Sequence, residues 1–358
     1  MPISADPRTV RAADLDALAV GVSLLGSGGG GDAGACVQVL RRRLGDGEIV
    51  LHPPQALGDT LTMPVGVAGA TSVFAEKLPG GTEFTSVVEA MRRWTGQRPG
   101  AVMSVEAGGL NGAAAMVAAL DLGLPCVDAD LMGRALPRLD QFTWSVLGRP
   151  IVPCVLCESS GQTVVVDNTD PAGLERTVRG FVAQAGGWAA LALPPRPARE
   201  AETDACVGSL SRALHLGRAH ASLRHSPTLA EVAETLGGHA LGEGRVVDVD
   251  RHGPAAGFGR GSATILGRTG EVLRVEMENE FLMALVDGEV VATTPDLLCV
   301  LNRQSAQPLS AERLRAGEEV FVVALPGPSW WRRPDRLAMV GPSAFGLDCE
   351  PVLLGDPR

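Results

Sequence analysis

The 358-residue chain has no tyrosine, six histidines and only 4% aromatic residues, and Lys77 is its single lysine. Without Tyr there is no phenolic acid, base or nucleophile, and so few aromatics exclude base stacking as a main source of nucleic-acid binding. A Schiff-base or phosphate-loop lysine has one candidate, whose surroundings, Glu76-Lys77-Leu78-Pro79, match neither motif. No apolar run is long enough to cross a membrane, no secretory apolar segment opens the chain, and the formal charge of −10 repels phosphate backbones. Metal and nucleophile signatures are also missing: no H-E-x-x-H, H-x-H or G-x-S-x-G occurs, and His215, His220 and His225 are spaced too widely for one helical face. The expectation is a cytoplasmic globular protein with reduced thiols. Its seven cysteines are odd in number, and the lone Cys154-x-x-Cys157 reads as two small buried residues.

What is abundant is glycine, 45 residues, with 25 prolines, clustered instead of periodic. Leu15, Leu18, Ala19 and Val22 recur at helical spacing, as do Cys36, Val37, Leu40 and Leu44, so the loop Gly26-Ser27-Gly28-Gly29-Gly30-Gly31-Asp32 joins two helices. Strands and helices then alternate through Val166 and a helix ends near Gln184, indicating an α/β domain with a mostly parallel sheet. The proline-rich stretch Leu191 to Arg199 reads as a linker or a rigid connection, followed by helices near Glu202 to Leu216 and Thr228 to Leu236. After Gly242, short Val- and Leu-rich runs separated by turns such as Asp287-Gly288 predict a mainly β, barrel-like C-terminal domain. The expected units are 1–190, a helical connection 191–241, and 242–358.

Three segments carry candidate chemistry. Gly26, Gly28 and Gly31 satisfy G-x-G-x-x-G, but a helix precedes them where a dinucleotide fingerprint needs a strand. What remains is a small-residue loop whose N–H groups can hold negative charge, or a helix connection with Asp32 as its cap. In Val105-Glu106-Ala107-Gly108-Gly109-Leu110-Asn111, Glu106 ends a strand and Asn111 opens a helix, either as a site residue or as a cap. The next strand ends in Asp128-Ala129-Asp130, followed by Arg134. Two acids two residues apart on an extended chain point to one side, and paired carboxylates can divide acid and base roles or bind a hard cation; alternatively one of them pairs with Arg134 and caps the next helix.

These segments resemble, in order, the motifs of the DUF917 family, described as S-methyl thiohydantoin desulfurase domain proteins. The resemblance continues through Gly257-Phe258-Gly259-Arg260-Gly261, Glu278-Asn279-Glu280, Thr293-Thr294-Pro295-Asp296-Leu297 and Val340-Gly341-Pro342-Ser343-Ala344-Phe345-Gly346. It implies an α/β domain with a β-barrel-like companion. It also implies kinship with enzymes that hydrolyse S-methylated thiohydantoins, releasing a thiol and leaving a hydantoin. Leu347 stands where the resemblance leads one to expect an aromatic residue in many relatives, and the segment Cys154 to Glu158 carries two cysteines where relatives more often have other residues.

The expected chemistry is water attack on a cyclic thiohydantoin-like substrate. Asp128 and Asp130 divide the base and acid roles, and Glu106 orients the water or joins a metal site. Gly28, Gly29, Gly30 and Gly31 with Asn111 hold the charged intermediate, Asp32 joins the loop in binding substrate, and Arg134 binds a substrate carboxylate. No cofactor is required, although a divalent metal stays open. The expected partners are a small cyclic substrate and further copies of the chain, with no nucleic acid and no membrane. The alternatives are an amide-type hydrolase or cyclase, and a non-catalytic partner of a hydantoinase-like enzyme.

Overall fold

The alternation of apolar strands and amphipathic helices in the first half demands a sheet covered on both faces. The computed structural model, which describes residues 8–69, 71–77, 79–252 and 260–355, has that arrangement. The Gly257-Phe258-Gly259 part of one family-like segment lies outside the described residues. The centre of the first sheet is parallel, in the order Glu48–His52, Cys126–Asp130, Ala101–Ser104 and Leu61–Gly69. Antiparallel strands extend it on both sides: Arg8–Arg11 beyond Glu48–His52, and Trp188–Ala192, Cys154–Cys157 and Thr163–Val166 beyond Leu61–Gly69. The carboxyl ends of the central strands therefore share one rim, where open α/β sheets place ligands.

The glycine loop does join two helices, Leu15–Gly26 and Ala33–Leu44. The first of these crosses the helix Ser209–Ala221 so closely that a Cβ on Gly21 would collide with the carbonyl of Ala213, and one on Gly217 with that of Ala17. Two glycines, one from each helix, thus set the crossing distance. Cys154 and Cys157 alternate across their strand into the two apolar layers that sandwich the sheet, and both are free thiols.

Of the two readings of Leu191 to Arg199, the rigid connection is the one found: Trp188–Ala192 is an inner strand, and Arg196–Pro197 pairs with the start of Leu61–Gly69. Pro197 has no N–H to give, but the Ala198 and Arg199 N–H groups donate to Thr60 O and Gly58 O and fix the segment there. The helix expected from Glu202 differs from its sequence reading, because it is broken. Cys206–Val207 pairs antiparallel with Ala129 and Asp130, and Gly208 adopts φ 76° before the helix resumes at Ser209.

The C-terminal half is a seven-stranded antiparallel sheet among the described residues, in the order Glu289–Thr293, Phe281–Val286, Val272–Met277, Arg260–Gly267, His239–His252, Glu319–Leu325 and Leu297–Asn302. Register breaks near Ala240, Val246, Glu276 and Ala284 bend it. It curls until Phe281–Val286 and Glu289–Thr293 approach Leu297–Asn302, giving a half-barrel around its own apolar core. Trp331 is fully buried and its indole N–H donates to Met132 O, while Trp330 donates to Thr203 O. The Trp pair therefore covers the junction between the two sheets.

Candidate active site

Glu106 follows the buried strand Ala101–Ser104 at the rim. The Ser104 hydroxyl donates to the carbonyls of Glu106 and Asn111 and accepts the Glu106 N–H, closing the turn so that the helix Leu110–Leu122 starts at once. Gly109, at φ 67°, is needed there because a Cβ would meet the backbone of Gly30. Asn111 lies in the first turn of that helix, but it does not cap it. Its Oδ1 accepts the Val67 N–H at 2.7 Å, which orients the amide so that Nδ2 donates to Val67 O at 3.1 Å and to Glu106 Oε2 at 3.0 Å. The Leu136 N–H donates to Glu106 Oε1 at 3.1 Å, so each carboxyl oxygen has one protein donor. Burial pushes the proton affinity of Glu106 up to about 8, with Asn111 opposing and the neighbouring Glu280 and Asp130 reinforcing the rise. With 9% and 8% exposure, Glu106 and Asn111 keep a little solvent contact, whereas Asp130 and Arg134 keep none.

Asp128 and Asp130 are both buried, but their carboxyls serve different elements. Asp128 Oδ1 accepts the Leu210 and Ser211 N–H groups, both at 3.0 Å, at the start of the helix Ser209–Ala221. It acts as an N-cap supplied from another strand, and burial shifts its proton affinity upward. Asp130 Oδ2 accepts from Ala107 at 2.7 Å, Met132 at 3.1 Å and Gly133 at 2.6 Å, binding the turn after Glu106 to the turn after its own strand. Burial raises it to about 6 against those three donors. A register irregularity beside Ser104 twists this strand end, which explains why two acids at alternate positions do not share partners.

The glycine loop lies against the same rim and against the half-barrel. Ser27, at φ 49°, donates through its hydroxyl to Leu298 O and accepts the Leu298 N–H, while its carbonyl accepts the Phe281 N–H. Gly28 O accepts from Ala311 and Gly30 O from Leu110. The Gly29 N–H goes to Gly26 O; among the described residues the N–H groups of Gly28, Gly30 and Gly31, all half-buried, meet no acceptor. Asp32 caps the helix Ala33–Leu44 through the Gly34 N–H and pairs with Arg313 at 3.0 Å, so it faces outward. Arg134 is fully buried. Its Nε donates to Ala135 O and its Nη1 to Asp296 O and Thr294 Oγ1, tying the rim to the half-barrel.

The rim therefore gathers Glu106, Asn111, Asp130 and the glycine loop, with Arg134 beneath, while Asp128 and Asp32 are spent on helix starts. It also gathers Glu280, which sequence reasoning had quoted only as part of a family-like segment. Glu280 is 1% exposed, burial lifts it to about 7 against the pull of Arg134, and a Cβ on Gly29 would strike its carboxyl. Nothing local marks it; it follows a strand on the far sheet. A cavity of about 130 Å³ opens near Glu278, over Met277, Leu282, Phe345 and Leu347. Its rim arginines are already paired, Arg260 with Glu278 and Arg274 with Glu276, and the His252 ring lies 3.0 Å from the Asp250 carboxyl. The perturbed carboxyls lie at the strand ends instead, which makes that rim the candidate site. Among the described residues no group of three or more His, Cys, Asp and Glu is placed to hold a metal ion. Nor is any helix of them long and apolar enough to cross a membrane.

Models of the S-Me-THD-like N-terminal and C-terminal domains match residues 13–168 and 168–354. The chain belongs to the S-Me-THD-like family. The two S-Me-THD-like models meet at residue 168, whereas the first sheet continues through Trp188–Ala192 and takes in Cys206–Val207. A crystal structure of a protein from Chromobacterium violaceum is similar over 98% of this chain and 100% of its own, with a TM-score of 0.82 at 23% identity. That likeness supports the two-sheet fold. No curated protein matches the chain.

Proposed function

We propose that this S-Me-THD-like chain is a hydrolase of the S-methyl thiohydantoin desulfurase type, in which Glu106 moves the protons. The observation that carries this reading is a buried carboxyl with a raised proton affinity, held by one donor on each oxygen, at the carboxyl rim of parallel strands. Both protein contacts are donors, so the hydrogen of the protonated acid has no acceptor among them and is left for a ligand. Water adds to the ring carbon bearing sulfur, and the C=N electron pair moves to nitrogen, which takes the Glu106 proton. The Glu106 carboxylate then removes a proton from the added oxygen and delivers it to sulfur as the C–S bond breaks. The second hydrogen of that oxygen returns to Glu106 as the new C=O forms. The products are hydantoin and thiol, and Glu106 ends protonated.

The unmatched amides of Gly28, Gly30 and Gly31 are suited to negative charge on the ring during addition. Asp128 and Asp130 hold the rim's backbone in this reading, and Arg134 fixes the junction from inside. The test is thiol release from a panel of S-methyl thiohydantoins, with mass spectrometry of the ring product. Glu106→Gln should lower kcat at least about a hundredfold with the fold intact, the usual scale for loss of one acid–base group. Near-normal turnover of that variant overturns the role of Glu106. Ring opening without thiol favours an amide-type hydrolase instead.

A further inference from the structure

We infer that Glu280, delivered by the half-barrel to the α/β rim, is a positioning residue that keeps the proton on Glu106. The inference rests on the proposed role of Glu106 and adds to it a second-domain contribution.

The placement is enforced by backbone. Phe281 donates its N–H to Ser27 O at 2.7 Å, and a Cβ on Gly28 would collide with the Phe281 ring. Glu280 is thereby pressed onto Gly29, where the missing Cβ leaves room for its carboxyl. The other side of the same loop presses on the turn that follows Glu106. Gly30 O accepts the Leu110 N–H at 2.8 Å, and a Cβ on Gly30 would lie 2.7 Å from Gly108 O. Two glycines thus separate the carboxyl-bearing segments, and both acids are buried residues, where solvent screens charge weakly.

Glu280 Oε1 accepts from Asn279 Nδ2 at 2.8 Å, whereas Oε2 is buried with no partner among the described residues. Arg134 Nη2 is equally buried and equally without a partner. The charged groups that act on Glu280 are Arg134, which favours its ionised form, and Glu278, which opposes it. Those that act on Glu106 are Glu280 and Asp130, both favouring its neutral form, with the Asn111 amide and the Leu136 N–H favouring the charge. Arg134 also feels Asp296, Cys299 and Glu106. Asp296 is already paired with Arg332 at 2.7 Å and the Cys299 thiol is kept neutral by burial, so Arg134 is the cation shared by Glu280 and Glu106, and one positive charge does not balance two buried carboxylates. The negative charge settles on Glu280, and the proton stays on Glu106. This division between two like groups is the arrangement by which neighbouring carboxyls take different roles.

The test uses the full chain labelled with carbon-13 at the glutamate carboxyls, titrated from pH 5 to 9 by NMR. Glu106 and Glu280 are assigned by the signals lost in Glu106→Gln and Glu280→Gln. In Glu280→Gln the Glu106 midpoint should fall by about one unit, the scale of one like charge lost at an effective dielectric constant near 20. Glu280→Asp, which keeps the charge, should restore part of that shift. An unchanged Glu106 midpoint in folded Glu280→Gln overturns the inference. The unaltered chain supplies a readout that needs no variant of Glu280 to fold: coupled groups each report the other's step, so the Glu106 signal should move in two stages. A single stage overturns the inference. None of these readouts needs turnover, so a failed coupling with thiol release intact rejects this inference alone. Full turnover by Glu106→Gln beside an intact coupling rejects only the proposed function.

Discussion

Replacing Glu106 by Gln should reverse its effect on stability as the pH rises. In the folded chain Glu106 binds its proton up to about 8, against an ordinary value of 4.5. Between those values the folded state holds a proton that the unfolded chain has lost, so its contribution to stability declines as pH rises through that window. At 1.36 kcal/mol per unit, full ionisation costs roughly 5 kcal/mol, an upper figure because local rearrangement admits water. Gln carries no such term. It has its own penalty, because Asn111 Nδ2 and Leu136 N both donate to the carboxyl and an amide presents only one acceptor. One donor then faces an NH2 group, at a cost of about 1–3 kcal/mol. The variant should therefore be the less stable protein at pH 5 and the more stable one near pH 9. Urea unfolding followed from pH 5 to 9, with the slope checked for constancy, measures the difference directly. A stability difference that stays constant to within about 0.5 kcal/mol over that range refutes the reasoning, since about 0.5 is the usual margin for independent effects.

Asp130→Asn keeps an oxygen for the Ala107, Met132 and Gly133 amides, so it should fold and hold kcat within about threefold, while Asp130→Ala strands three N–H groups and should lose about 3 kcal/mol in urea. A hundredfold kcat loss in the Asn variant would instead return Asp130 to the chemistry. Asn111→Ala abandons the Val67 N–H and C=O together with the donor to Glu106, and unfolding midpoints should register a loss of about 2–4 kcal/mol. Gly21→Ala forces apart the helices Leu15–Gly26 and Ser209–Ala221; thermal unfolding should show at least about 3 kcal/mol of destabilisation, and an unchanged midpoint would contradict the close crossing. Among the described residues six of the seven thiols are buried, so a thiol reagent should modify Cys349 first and reach the others only on unfolding.

Local signals carried far in some places and stopped short in others. The helix Leu15–Gly26 shows its apolar face at helical spacing, and the C-terminal strands show theirs between turn residues, so both were legible. The strands Arg8–Arg11 and Glu48–His52 are four and five residues long and carry charge, and nothing in their composition marks them as sheet. The strand Trp188–Ala192 was hidden by the prolines that follow it. At the site, Glu106 and Asn111 are five residues apart on one strand–turn–helix unit, and their closeness follows from the chain. Asp128 and Asp130 looked like a pair because alternation is a property of an isolated strand. What they bond to depends on a helix and a turn that arrive from elsewhere.

The sequence by itself determined the two-part architecture and the glycine loop between helices, and it pointed the proposed chemistry toward carboxyls, Asn, Arg and main-chain amides. These follow from periodicity and composition, which act over a few residues. Only the tertiary structure decided which carboxyls are buried with a raised proton affinity, that Asp128 caps a distant helix, and that Glu280 meets the rim across the glycine loop. Proton affinity is set by burial and by charges brought from other strands, and neither exists until the two sheets have closed on each other.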